Sequence, residues 1–245
     1  MRILKQFIDF YINTSLHVAV AVFSLVQICR TSLNIPSNSE IDFFIFFGTI
    51  FGYNFLKYFE VFRNRFYTLK KNYSIVFVSL IAVFGMFFYF LKLEKVIQIE
   101  FFKIGFVIVS YPFLRKFGFL KMLLVASCIA YITAYIPQIN FKLNFIYLFQ
   151  RFLIVFCLLI PLEICDLESD SQTIKTLPKI IGIQNLKVLG YLLLIISCFL
   201  KLNFVIVIVI ALFIFFSDKN KSKYYTSFWV ESLPIFWWTL LFFTR

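Results

Sequence analysis

Three carboxylates close together in the second half of the chain raise the first question of chemistry: Glu163, Asp166 and Asp170, in the run Glu163-Ile-Cys-Asp166-Leu-Glu-Ser-Asp170. On a helix turning about 100° per residue, positions i, i+3 and i+7 fall within about 60° of one another, so the three acidic groups can converge. Converging hard oxygens, with Lys175 following, suit Mg²⁺ shared with the phosphate oxygens of a substrate. A solvated acidic loop entry carries the same pattern. A second cluster, Ser110-Tyr111-Pro112-Phe113-Leu114-Arg115-Lys116, offers phenolic and cationic donors to phosphate. It equally reads as an interfacial anchor at a helix end.

The elements that must position these groups are membrane helices. The 245 residues are 62% apolar, 22% aromatic and only 15% charged, a balance with which a water-soluble domain could not cover its own apolar surface. Taking about 20 apolar residues per crossing, nine candidate spans lie near 10–29, 41–59, 73–92, 96–113, 119–138, 145–165, 184–200, 203–217 and 227–243, the eighth of them short. They form one transmembrane domain over residues 1–245 with no room for a soluble one. The net charge of +12 comes from lysines and arginines in short loops, which fits orientation and anionic lipid heads and excludes nucleic acid as the partner. Most of these cations fall on one set of alternate loops (Lys57, Arg63, Arg65, Lys70 and Lys71, for example), so the N-terminus is expected in the cytoplasm and the C-terminus outside. Five cysteines stand singly in apolar stretches, without metal-ligand spacing, and read as small buried apolar groups.

The acidic run followed by Lys175-Thr-Leu-Pro178 resembles the second aspartate motif, D-x-x-D-x-x-x-D, of the UbiA-type intramembrane prenyltransferases, with Glu163 at its first position. The Ser110–Lys116 segment is similar to the same family's Y-P-x-x-K/R segment near the diphosphate site. The resemblance implies an all-α bundle of about nine transmembrane helices around a central cavity. Its expected activity is Mg²⁺-dependent transfer of a polyprenyl group from an isoprenyl diphosphate to a lipophilic acceptor, a transfer of an alkyl or aryl group other than methyl. Carried over by position, Glu163, Asp166 and Asp170 would hold the metal, Asp166 and Asp170 being catalytic. Tyr111, Arg115, Lys116 and Lys175 would contact diphosphate. The family's first motif, N-D-x-x-D-x-x-x-D, falls on Asn54-Phe55-Leu56-Lys57-Tyr58-Phe59-Glu60-Val61-Phe62 and keeps only its asparagine. Asn54 and Lys57 would line this altered wall, where a lysine can neutralise diphosphate directly. The alternative is a non-catalytic protein of the same fold that binds a lipid or a protein partner. A transporter fits less well, because seven glycines leave little material for paired broken helices. The expected location is the bacterial inner membrane.

Other polar groups fall inside the expected spans. His17 is expected to hydrogen-bond a neighbouring helix, Arg151 to extend toward the outer surface, and Glu100 and Lys103 to form a helical ion pair. Glu231 fits either a cavity or the interface.

Overall fold

The computed structural model describes residues 2–64, 73–114, 118–168, 176–200 and 202–243. Every regular element among them is helical: α1 (Arg2–Asn13), α2 (Leu16–Leu33), α3 (Ser39–Asn64), α4 (Tyr73–Phe90), α5 (Lys95–Leu114), α6 (Gly118–Ala130), α7 (Phe145–Cys165), α8 (Leu177–Ile181), α9 (Ile183–Phe199), α10 (Phe204–Phe216) and α11 (Leu233–Phe243). Five stretches are long and apolar enough to cross a membrane: α2, α4, α5, Leu120–Gln138 and α7. Helices α9 and α10 are apolar but shorter, at 17 and 13 residues. Phe84, Phe106 and Phe199 are 74%, 76% and 83% exposed, which water would penalise heavily and lipid does not. The chain is therefore a membrane protein.

Three of the expected spans are interrupted, each for a local reason. The window 10–29 breaks at Thr14–Ser15, where Thr14 Oγ1 donates to the Phe10 carbonyl at 2.8 Å and Ser15 adopts a left-handed φ of 61°. Such short polar side chains compete with the helical ladder. The result is a separate helix, α1, ahead of α2. The window 119–138 ends as a π turn over Tyr131–Tyr135 and a 3-10 turn over Ile136–Gln138. Pro137 has no N–H to continue the α ladder. The window 227–243 is split between a π turn at Tyr225–Val230 and α11, and Pro234 stands at the second position of the new helix.

Contacts divide the chain into two compact units, one of residues 1–108 and 234–245, the other of residues 109–233. In the first unit α3 packs on α2 and α4. Ala19 and Ala82 are wholly buried beside Ile50, so small side chains let three helices approach. A Cβ at Gly85 would stand 2.7 Å from the Phe47 ring, so glycine is required there for α4 to lie against α3. The loop after α2 is locked by a buried ion pair that the sequence reading did not single out. Arg30 Nε and Nη2 donate to Asp42 Oδ1 at 3.0 and 2.8 Å, Arg30 Nη1 donates to the Pro36 carbonyl at 2.6 Å, and Gln27 Nε2 donates to Asp42 Oδ2 at 2.9 Å.

In the second unit α7 is the hub, packed by α6, α9 and α10. Gly190 of α9 faces Ile160 and Ile214, where an added Cβ would come within 2.7 and 2.9 Å of their δ carbons. Arg151 of α7 does not extend outward as expected: it is 1% exposed, with Nη2 donating to Tyr147 Oη at 2.6 Å and the guanidinium 5.4 Å from that ring's centroid. One helical turn separates the two residues, so the phenol reaches the cation within the bundle. Glu100 and Lys103 form the expected ion pair at 2.7 Å. Cys29 and Cys157 are buried as expected, whereas Cys128 and Cys165 are half-buried and Cys198 is exposed.

Candidate functional site

The carboxylates of the acidic run stand where α7 ends. Apolar residues carry the helix to Cys165, and the chain then tightens into a 3-10 turn over Asp166–Glu168. Glu163 lies inside the last turn and is buried; Asp166, three residues on, caps the helix and is exposed. Glu163 Oε1 accepts from Lys121 Nζ of α6 at 2.7 Å. The side chains of this pair are only 5% and 16% exposed, and a carboxylate so buried needs a cation beside it. The expected role of Glu163 as a cation ligand thus meets a lysine already in place. Among the described residues no group of three His, Cys, Asp or Glu side chains is arranged to hold a metal ion. Asp170 and Lys175 lie outside the described residues, as do Arg115 and Lys116.

The surroundings of this helix end are built from α8, α9 and α10. The Cys165 thiol donates to the Asp218 carbonyl at 3.2 Å, tying the end of α7 to the segment after α10. Lys187 Nζ donates to the carbonyls of Phe215 and Ser217 at 3.0 and 2.8 Å, so its charge answers the exposed carbonyl end of α10. Beside Asp218 opens a cavity of about 460 Å³, lined by Ile181, Gly182, Gln184, Asn185 and Lys187. Gly182 has φ 85° and ψ 153°, a conformation that side chains resist, and this turn lets α9 start directly after α8. The Tyr225 hydroxyl donates to the Phe213 carbonyl at 2.6 Å, and burial pushes its phenol up to about 12. Tyr111 sits half-buried near the end of α5, one residue before the Pro112 inside that helix.

The residues of the altered first motif belong to the other unit. Asn54 is 3% exposed and lies at the centre of a closed polar network. Its Nδ2 donates to the Thr14 carbonyl at 3.1 Å and to Ser79 Oγ at 2.9 Å, and its Oδ1 accepts from Ser15 Oγ at 2.7 Å. Both amide hydrogens are thereby used, and Asn54 joins the α1–α2 break to α3 and α4. Its side chain, expected to line a substrate wall, thus fastens three helices. Lys57 is exposed, its ammonium 5.5 Å from the Tyr58 ring centroid, and the Tyr58 hydroxyl donates to the Asn13 carbonyl at 3.1 Å.

Sequence reasoning missed Lys121 as a partner of Glu163, although both were visible at the ends of adjacent expected spans. Opposite charges at neighbouring helix ends are the signal that finds such pairs. No family model matches the chain, and no curated protein or solved structure is significantly similar to it.

Proposed function

We propose that this chain is a membrane prenyltransferase with a UbiA-like bundle of nine transmembrane helices, moving a polyprenyl group from an isoprenyl diphosphate to a lipophilic acceptor at the cytoplasmic face. The observation that carries this reading is the end of α7. Asp166 is exposed directly after a membrane helix, and the sequence has Asp170 four residues further on and Lys175 beyond it.

The donor chemistry fits Mg²⁺, which is held by one or two carboxylates when phosphate oxygens complete its sphere. Glu163 is paired with Lys121, so Asp166 and Asp170 are the two carboxylates that would hold the ion. Bound there, Mg²⁺ would neutralise charge on the departing diphosphate. Lys121, by holding Glu163, fixes the rim on which Asp166 stands. Lys175, Arg115 and Lys116 supply cations for phosphate oxygens, and Tyr111 supplies a phenolic donor. The allylic carbon–oxygen bond breaks with its electron pair leaving on diphosphate, the acceptor's nucleophilic atom bonds to that carbon, and the acceptor releases a proton.

A second reading, a non-catalytic protein of this fold that binds a lipid or a protein partner, is favoured by one observation. Two residues of the expected site, Asn54 and Glu163, are engaged in internal bonds. The test is Mg²⁺-dependent release of pyrophosphate from farnesyl and geranylgeranyl diphosphate by the purified protein, beside the Asp166→Ala/Asp170→Ala double variant. Release by the parent and loss in a folded double variant support the enzyme. Absence of both release and diphosphate binding in a folded parent moves the assignment to the second reading.

A further inference from the structure

Helix α1 presents three faces, and each meets a different environment. At about 100° per residue, Ile3, Leu4, Phe7 and Phe10 fall within an arc of about 120°, and Lys5, Gln6, Asp9 and Asn13 within an opposing arc of about 100°. The first group is 82%, 66%, 66% and 40% exposed, an apolar ridge left largely uncovered by the described residues. Lys5 and Gln6 on the polar arc are exposed as well. Ile8 and Ile12, between the arcs, and Tyr11, on the Leu4 side of the apolar arc, are half-buried, and the Tyr11 ring meets His17 edge-on with centroids 5.0 Å apart. A helix buried on one side, apolar on a second and polar on a third fits a place where protein, lipid and water meet.

Two further observations fix that place. With 12 residues α1 is about 18 Å long, too short for a hydrocarbon core of about 30 Å, so it does not cross. Its last residue is fastened at the end of α2, which is long enough to cross: Tyr58 Oη donates to the Asn13 carbonyl, and Asn54 holds Thr14 and Ser15. The corner thus stands at one mouth of a membrane-crossing helix, and α1 leaves it at that level. Two lysines, Lys5 of α1 and Lys57 of α3, are exposed, while Asp9 of α1 is half-buried.

We propose that α1 lies in the plane of the membrane surface, with Ile3, Leu4, Phe7 and Phe10 buried at the headgroup boundary and Lys5 and Lys57 contacting anionic phospholipid headgroups. This surface is independent of the prenyltransferase reading.

The test uses the full-length chain labelled with a nitroxide at Phe7→Cys or Gln6→Cys, the signal of the labelled parent thiols subtracted, in phosphatidylcholine vesicles with and without phosphatidylglycerol. With phosphatidylglycerol, the label at position 7 is expected about 5–10 Å below the phosphates, open to oxygen and shielded from an aqueous nickel chelate. The label at position 6 shows the reverse. Omitting phosphatidylglycerol, or adding Lys5→Glu, moves the label at position 7 toward water. Equal chelate access at the two positions overturns the proposal. Dipolar broadening between labels at position 7 overturns it in favour of a second copy of the chain. A depth unchanged by phosphatidylglycerol and by Lys5→Glu overturns the role of anionic lipid.

Discussion

Replacing Lys121 by methionine keeps the length of the stem and removes the ammonium that faces a carboxylate only 5% exposed. At 2.7 Å the gross attraction between unit charges is about 6 kcal/mol for an effective dielectric of about 20, and much of it offsets the cost of taking both groups out of water. The two changes are therefore unequal. Lys121→Met leaves a charge in an apolar setting and should cost about 3–5 kcal/mol. Glu163→Leu removes the acceptor from a lysine that is 16% exposed and can still reach water, and should cost about 1–3 kcal/mol. The double variant Lys121→Met/Glu163→Leu replaces the pair by apolar groups and should recover most of the loss, a coupling of about 2 kcal/mol or more. The assay is equilibrium unfolding in mixed micelles with rising dodecyl sulfate, followed by tryptophan fluorescence. Single changes that each cost under about 1 kcal/mol and simply add would refute the buried pair and return Glu163 to the set of carboxylates available for a cation.

Asn54→Ala strips the α1–α2 break of its fastening to α3 and α4 and should lower stability by about 1–3 kcal/mol in the same unfolding assay; an unchanged midpoint would contradict the network. Gly85→Ala forces a methyl group within 2.7 Å of the Phe47 ring and should cost about 1–3 kcal/mol, read as a drop in melting temperature, whereas Gly52→Ala meets nothing within 4 Å and should be tolerated. The Tyr225 phenol, held up to about 12, adds stability that is fully present below its unfolded value of about 10 and is lost as pH rises through 12. Difference absorbance of phenolate between the parent and Tyr225→Phe should show a step near pH 12; a step near pH 10 would mean that its hydroxyl is not buried against Phe213.

Some of this was legible in the residue order and some was not, for physical reasons. Hydropathy is a property of a segment and of its solvent, so the apolar runs mark helices wherever they occur: each expected span overlaps helical residues, and α4, α5 and α7 match their windows almost residue for residue. Polar and proline punctuation within a window, such as Asn13-Thr14-Ser15, was on the page, but whether it bends or ends a helix depends on what fastens the break, here Asn54 from a helix 40 residues away in sequence. The spacing of Glu163, Asp166 and Asp170 suited one helix face, but α7 ends at Cys165 and the spacing could not say what meets Glu163; Lys121 arrives from another helix, and that pairing is a fact of packing. Arg151 was read as extending to the surface because a lone cation in lipid is expensive; its partner Tyr147 stands one turn earlier on the same helix, but its burial is decided by the helices packed on α7. The amino-acid order alone thus determined a membrane protein, the approximate places of its helices and the residues able to do chemistry. Tertiary structure decided which of those residues are already bonded to each other, because a side chain's partners come from distant segments whose approach no local pattern encodes.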